Sequence, residues 1–375
     1  MKIGCPKETK DHEYRVGLIP AAVKAYVNEG HQVLVQRGAG LGSGIMDEEY
    51  GAVGARLVED AAEAWGADMV VKVKEPLPPE YSFLREGQLV FTYFHFAADE
   101  GLTRACLERK IIAVAYETVQ EKDGSLPLLK PMSEVAGRMA PLVGSYYLAR
   151  VQGGLGLLPT GVPGVAPAKV LILGGGTVGS NAARVAAGLG ADVIILDINV
   201  DTLEHLGNIM PPNVHPIFGY GSTFEEWLRE ADLVVGAVLI PGAKAPRLLK
   251  REHFKRMKPG SVFVDVAIDQ GGCSETSRPT SHSDPVYVVD QVTHYCVTNM
   301  PGAYSRTSTF ALNNRTIKYG LKLARQGALA ACRADPALRK GLNLYRGWVT
   351  LEPVAEVFGL EECFVPPEEI LEKRE

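Results

Sequence analysis

The stretch that decides the fold is Ala168-Lys169-Val170-Leu171-Ile172-Leu173-Gly174-Gly175-Gly176-Thr177-Val178-Gly179. A short apolar run, of a length suited to one buried strand, delivers the chain into a GxGxxG, and residues 180–189, rich in small side chains, continue as a helix. A second apolar run, 191–196, ends on Asp197, about twenty residues beyond the glycines. Gly174 makes the tight turn, Gly176 lets backbone approach a pyrophosphate, and Gly179 lets helix and strand pack closely. The helix N-terminus offers its N–H groups and the positive end of its dipole to the phosphates. A carboxylate closing the second strand accepts hydrogen bonds from a ribose 2′-OH and repels a 2′-phosphate, so the pattern predicts NAD rather than NADP.

Outward from this unit, strand and helix patterns alternate in two series. The second series runs from Ala168 to about Val297, with strands expected at 170–173, 193–196, 233–239, 262–266 and 286–289. The first ends near Tyr116, with strands at 32–35, 69–73, 89–94 and 111–115 and helices at 21–28 and 100–109. Such alternation predicts parallel sheets wrapped by helices, and runs with little polar alternation suit strands buried on both faces. A polar turn, Glu121-Lys122-Asp123-Gly124-Ser125, and then Pro127 and Pro131 mark a boundary. Beyond it, Val135, Met139, Leu142, Val143, Tyr146, Tyr147 and Val151 give 133–151 a helical spacing, with Ser133 as N-cap.

After Asn299-Met300-Pro301-Gly302 a helical pattern over 309–325 leads into a tail that also reads as helical. This tail is too short for a third α/β domain and is expected to pack back on the first. The expected fold is α/β, with two doubly wound Rossmann-like domains and a cleft between them. The substrate domain is discontinuous, 1–128 plus 306–375, and the NAD-binding domain covers 129–305. A 375-residue chain has room for two domains of about 150 residues or more.

Composition removes several function classes. Hydrophobic residues make up 46% and charged residues 22%, an ordinary globular balance. Thirty-nine basic residues face 44 acidic ones, a formal charge of -5 with no run of one sign, so no nucleic-acid or membrane partner is expected. Cys5, Cys106, Cys273, Cys296, Cys332 and Cys363 form no CxxC and match neither a zinc site nor a disulfide framework; reduced thiols and no bound metal are expected. No apolar stretch approaches the roughly 18 residues of a membrane span. Met1-Lys2-Ile3-Gly4-Cys5-Pro6-Lys7 lacks a signal-peptide apolar region, which predicts a cytoplasmic protein.

In open α/β sheets ligands lie off the carboxyl ends of the strands, and that rule selects the candidate residues. Lys74 and His95 follow two expected strands of the first series, Arg15 lies in the polar loop after the opening strand, and Asp269 follows 262–266 in the second. A guanidinium, an ammonium, an imidazole and a carboxylate around a nicotinamide suit a small α-keto or α-amino acid. Taken singly, each has a plainer role open to it. His95 could be structural, Lys74 could pair with Glu75 at the surface, Arg15 could lie solvated beside Glu13, and Asp269 could cap the turn through Gly271 and Gly272. A second glycine cluster, Gly38-Ala39-Gly40-Leu41-Gly42-Ser43, has serine in place of the third glycine and no long small-residue helix after it; it reads as a plain loop.

Taken together, these stretches resemble the alanine dehydrogenase and pyridine nucleotide transhydrogenase family over essentially the whole chain. The resemblance is carried by Pro6-Lys7-Glu8-Thr9-Lys10 with Arg15-Val16, Val71-Lys72-Val73-Lys74-Glu75-Pro76, Ala115-Tyr116-Glu117-Thr118-Val119-Gln120 and Pro131-Met132-Ser133-Glu134-Val135-Ala136-Gly137-Arg138. In the second half it is carried by Gly161-Val162-Pro163-Gly164-Val165, the glycine motif, residues 236–246, residues 264–273 and Asn299-Met300-Pro301-Gly302.

The resemblance implies reversible oxidative deamination of L-alanine to pyruvate and ammonium with NAD, by a homohexamer. It implies that Arg15 and Lys74 bind the substrate carboxylate and its keto or amino end, and that His95 and Asp269 are the acid–base residues. It implies that Ser133, Val178, Asp197, Leu239, Ile268, Asp269 and Met300 line the cofactor, together with Thr177, Val238, Val297 and Asn299. Thr202 and Gly219 depart from the pattern, standing where a basic residue and a serine are usual near the adenosine. Two other readings are a soluble NAD-binding transhydrogenase subunit, which needs no acid–base pair, and a non-catalytic NAD-dependent regulatory protein.

Overall fold

The opening strand, Lys2–Cys5 (β1), lies inside a sheet rather than at its edge. Ile3 and Cys5 are fully buried, and a Cβ on Gly4 would lie 1.9 Å from the Ala64 carbonyl oxygen, so only glycine lets the helix Ala61–Trp65 approach this closely. The structure, a computed structural model, describes residues 1–219, 221–238 and 245–372. The chain divides into two compact units, Met1–Met132 with Tyr304–Glu375, and Ser133–Ala303.

In the first unit β1 is followed by Gln32–Gln36 (β2), Arg56–Val58 (β3), Met69–Val71 (β4), Leu89–Thr92 (β5) and Ile112–Ala115 (β6), all parallel. Their order is β6-β5-β4-β1-β2-β3, so chain direction across the sheet reverses between β4 and β1. At such a switch point the loops on either side diverge and leave a crevice at the strands' carboxyl ends. The tail differs from expectation: Leu342–Tyr345 and Trp348–Val349 form a hairpin that extends the sheet antiparallel to β6. Leu342 and Leu344 are buried there, and the pairing with β6 makes a strand of a segment too short to show periodicity.

The helix Ser305–Ala334, interrupted at Gly327, packs on the same unit. A Cβ on Gly320 would lie 2.0 Å from the Tyr26 hydroxyl, which shows how closely the helix approaches Pro20–Asn28. Asn313 accepts from the Ile19 N–H at 2.9 Å and Thr309 Oγ1 from the Val16 N–H at 3.2 Å. The loop leaving β1 is thereby pinned by residues almost three hundred positions away in sequence.

The second unit holds Lys169–Leu173 (β7), Asp192–Asp197 (β8), Val214–Phe218 (β9), Leu233–Gly236 (β10), Val262–Asp265 (β11), Val286–Val289 (β12) and Val292–Tyr295 (β13). The order is β12-β13-β11-β10-β7-β8-β9, with its switch point between β7 and β10. Both units are doubly wound, with the same six-strand order and no shared sequence repeat. Residues 286–289 are not a member of the parallel set: β12 is an antiparallel edge strand, and the parallel place beside β11 belongs to β13, which is buried throughout. The helix expected at 133–151 spans Lys130–Tyr147, so Ser133 sits inside its first turn and is not the N-cap. No described helix is long and apolar enough to cross a membrane.

Candidate active site

In the first unit, Arg15, Lys74 and His95 follow β1, β4 and β5, three neighbouring strands that straddle the switch point. Each is held by a carboxylate. Arg15 is not solvated surface: its side chain is 2% exposed and it grips buried Glu13 in a fork, Nε to Oε1 at 2.6 Å and Nη2 to Oε2 at 2.5 Å. Its Nη1 lies 3.0 Å from Met132 Sδ, a weak acceptor. Burial alone would lower the guanidinium's pKa, but the Glu13 carboxylate beside it holds it above the ordinary value.

Lys74 is half-buried, and its backbone N–H and that of Val73 point to Glu8 Oε1 at 3.4 and 2.7 Å. Glu8 is itself paired with fully buried Lys72 at 3.3 Å, and Lys72 also meets Glu80 at 2.8 Å. Burial pushes the Glu8 carboxyl above its usual range against the opposing pull of Lys72. Glu75 pairs with Lys10 at 2.5 Å.

His95 is exposed and adopts left-handed backbone angles, φ 52° and ψ 42°, uncommon for a residue with a Cβ. Its N–H donates to Glu117 Oε1 at 2.6 Å, and its ring stacks on Tyr93 with centroids 5.9 Å apart and planes 5° from parallel. Tyr93 is fixed through its hydroxyl, which donates to the Leu128 carbonyl at 2.6 Å. Burial raises the Tyr93 phenol far above its ordinary pKa, so it stays a neutral platform.

In the second unit the glycine turn has the geometry a dinucleotide needs. Gly174 takes φ 100°, a Cβ on Gly179 would lie 1.8 Å from the Gly174 carbonyl oxygen, and a Cβ on Gly176 would meet nothing within 4 Å. The space in front of Gly176 is therefore open, and the helix Thr177–Gly188 begins there without a side-chain cap, its first N–H groups left for a ligand. Asp197 Oδ2 accepts from the Gly175 N–H at 2.6 Å and Oδ1 from the Asn199 N–H at 2.8 Å, which sets the carboxylate beside the turn. Val238, half-buried beyond β10, places a methyl 3.2 Å from where a Gly174 Cβ would be. Thr202 crowds Gly175 from the helix Val200–Ile209, and the Gly219 N–H donates to the Asp197 carbonyl at 3.0 Å. These residues fit the diphosphate and ribose of NAD.

Asp269 lies in the 3-10 turn Val266–Gln270 that follows β11, and its Oδ1 faces the Asn299 N–H at 3.3 Å. Asn299 has φ 59°, and Met300 behind it is buried. The cap of the Asp269 turn is Asp265: its Oδ1 accepts from Ala267 N at 3.0 Å, and its Oδ2 from Cys273 N at 2.9 Å and the Ser277 hydroxyl at 2.5 Å. Val178, Ile268 and Val297 are buried, Val297 completely within the apolar core, so a ligand contact from Val297 would come through its backbone. Ser133 is half-buried, and Leu239 lies outside the described residues. Among the described residues no group of three or more His, Cys, Asp or Glu is arranged to hold a metal ion.

Sequence reasoning did not single out Glu8, Glu13, Tyr93, Glu117, Met132 or Asp265 as parts of these sites. The signal available for Glu117 and Glu8 was their place in the family stretches; Glu13 was visible only as a neighbour of Arg15.

A family model described as the N-terminal domain of alanine dehydrogenase/PNT matches residues 4–136, and its C-terminal counterpart matches 140–352. The chain is 52% identical over 362 residues to alanine dehydrogenase 2 of Staphylococcus aureus (strain USA300), covering 96% of this chain and 97% of that protein. A solved structure of an L-alanine dehydrogenase matches with a TM-score of 0.93 at 50% identity, over 96% of this chain and 99% of that one. A transhydrogenase from Sinorhizobium meliloti matches with a TM-score of 0.79 at 26% identity, over 93% and 98% of the two chains. The chain belongs to the alanine dehydrogenase and pyridine nucleotide transhydrogenase family.

Proposed function

We propose that this chain catalyses the reversible oxidative deamination of L-alanine to pyruvate and ammonium, with NAD as cofactor. The observation that carries the reading is the gathering of Arg15, Lys74 and His95 on three adjacent strand ends of one unit, together with an NAD cradle and Asp269 in the other. Gly174, Gly176, Thr177, Gly179 and Asp197 would hold NAD, with Ser133, Val178, Val238, Leu239, Ile268, Val297, Asn299 and Met300 around it. When bound, NAD takes up the hydride from the substrate Cα.

Arg15 is oriented by Glu13 and holds the alanine carboxylate, while Lys74 orients the nitrogen or oxygen on Cα. As hydride leaves, the electron pair of the amino nitrogen forms the C=N bond and that nitrogen gives up a proton. His95 and Asp269 accept and return protons as water adds to the iminium carbon and the carbinolamine releases ammonia. The sum is alanine, NAD and water giving pyruvate, ammonium, NADH and a proton.

We also propose a homohexamer in the cytoplasm. Exposed apolar side chains at Leu142, Tyr146, Val151, Leu158, Val162 and Val165 support subunit contacts through the second unit, and the thiols of Cys5, Cys106, Cys273, Cys296 and Cys332, buried and unpaired as disulfides, suit a reducing compartment. Light scattering on the purified protein tests the first and cell fractionation the second.

The deciding experiment follows absorbance of NADH after mixing the protein with NAD and L-alanine, with D-alanine, glycine, serine and lysine in parallel. Formation with L-alanine is expected, together with a loss of about 100-fold or more in His95→Ala and Asp269→Ala and retained NAD binding in His95→Ala. NAD binding without turnover on any of these substrates would overturn the reading, and activity within tenfold of the parent in both variants would overturn the acid–base assignment.

A further inference from the structure

We propose that Glu117 is a positioning residue for His95: its carboxylate holds the imidazole in register by taking up the backbone N–H groups of the turn that carries it. The inference rests on the proposed acid–base role of His95. The pairing of β5 continues past Thr92 by one bond, from the Tyr93 N–H to the Val73 carbonyl at 3.2 Å, and the N–H groups of Phe94 and His95 need other acceptors. Glu117 supplies them, with Oε1 2.6 Å from His95 N, and Oε1 and Oε2 3.2 and 3.3 Å from Phe94 N.

Left-handed angles at His95 are unfavourable for a residue with a Cβ and persist only where the surroundings impose them. His95 is held by the Glu117 carboxylate on its N–H, by the Ala98 N–H on its carbonyl at 2.8 Å and by the Tyr93 ring under its imidazole; the first and last of these set the imidazole. Glu117 and Tyr93 share one neighbour: fully buried Tyr116, next to Glu117 in the chain, packs edge-on against Phe91 at 4.4 Å and Tyr93 at 5.0 Å. Glu117 and the platform under His95 therefore share a rigid base. A charged acceptor holds an N–H about twice as strongly as a neutral one, so a carboxylate here fixes the turn better than an amide or water would.

The test is a double-mutant cycle on the full chain: Glu117→Ala, Glu117→Gln, His95→Ala and Glu117→Ala with His95→Ala. The cycle records kcat, KM for alanine and the Kd for NAD. We expect Glu117→Ala to lower kcat by about 10- to 100-fold, the range expected when a reacting group is misplaced by about 1 Å, with NAD Kd within about twofold of the parent. Glu117→Gln, whose amide oxygen still accepts, is expected to recover most of that loss. In the His95→Ala background, Glu117→Ala is expected to cost no more than about twofold, because it acts through the missing imidazole.

An equal loss in both backgrounds, a Gln variant as impaired as the Ala variant, or an Ala variant within about twofold of the parent would each overturn the proposal. Should Glu117→Ala fail to fold, Glu117→Asp, which keeps the charge but shortens the reach by one methylene, takes its place in the cycle with the same expected non-additivity. The two readings separate cleanly: near-parent activity in His95→Ala removes the role of His95, whereas a crippled His95→Ala beside an unimpaired Glu117→Ala removes only that of Glu117.

Discussion

Arg15 and Glu13 form a closed fork inside the first unit, with Nε–Oε1 at 2.6 Å, Nη2–Oε2 at 2.5 Å and side chains exposed by 2% and 0%. The pair fixes the plane of the guanidinium before any substrate arrives. Removing one member leaves the other as an uncompensated buried charge, which costs about 3–5 kcal/mol. We expect Arg15→Ala to lose stability of that order in urea denaturation, and Arg15→Ala with Glu13→Gln to regain part of it. Arg15→Lys, which cannot form the fork, should raise KM for alanine by at least about tenfold while the Kd for NAD stays put. A single variant no less stable than the double would show that the pair is not coupled as the geometry implies.

Two glycines of the same motif should separate folding from binding. A Cβ at position 176 meets nothing, so Gly176→Ala should leave the thermal midpoint within a degree or so while weakening NAD binding, because the methyl fills space needed by the diphosphate. A Cβ at position 179 would lie 1.8 Å from a backbone oxygen, so Gly179→Ala should destabilise the protein by about 1–3 kcal/mol. Calorimetry and NAD titration on both variants check this; equal effects on stability would contradict it.

Asp197 accepts from the Gly175 and Asn199 N–H groups and is expected to accept from the ribose as well. Asp197→Asn keeps an acceptor and removes the charge that repels a 2′-phosphate. The ratio of the NADP Kd to the NAD Kd should fall by about tenfold, the scale of one charged hydrogen bond. An unchanged ratio in paired titrations would move the source of discrimination elsewhere.

His294 provides a pH dependence with a defined sign. Its ring is buried in the second unit between Thr276 and the Val292 carbonyl, and burial lowers its pKa from 6.5 to about 4. Above pH 6.5 it is neutral in both the folded and the unfolded chain. Between 6.5 and about 4 the unfolded chain takes up a proton that the folded chain refuses, so this residue's contribution to stability declines as pH falls through that window. The full loss is on the order of 3 kcal/mol. Denaturation between pH 7 and 4 should show a shallower decline in His294→Gln than in the parent; parallel curves would contradict it.

Parts of the architecture were legible because they are written locally. The strand at 168–173, the turn at Gly174, the small-residue helix and the strand ending on Asp197 occupy thirty consecutive positions, and each answers to a local steric or electrostatic demand. The glycine cluster at 38–42 lacks that context, and it follows β2, away from the switch point. Where a segment is short, local pattern fails. Residues 286–289 read as one more buried strand, yet β12 is a half-exposed antiparallel edge, and the hairpin at 342–349 was hidden in a tail read as helix.

By itself the sequence determined the two βα series, the NAD fingerprint and the family, because periodicity, glycine placement and motif spacing are properties of neighbouring residues. Only the tertiary structure decided which strand ends meet. The return of Ser305–Ala334 onto the loop after β1 depends on bonds between Val16 and Thr309 and between Ile19 and Asn313. The carboxylates that hold the candidate residues were decided there too: Glu8 reaches Lys74, Glu117 reaches His95, and Asp265 caps the turn of Asp269. A hydrogen bond forms by distance and angle in space, and the first two of these pairs join chain segments brought together only by the stacking of parallel strands.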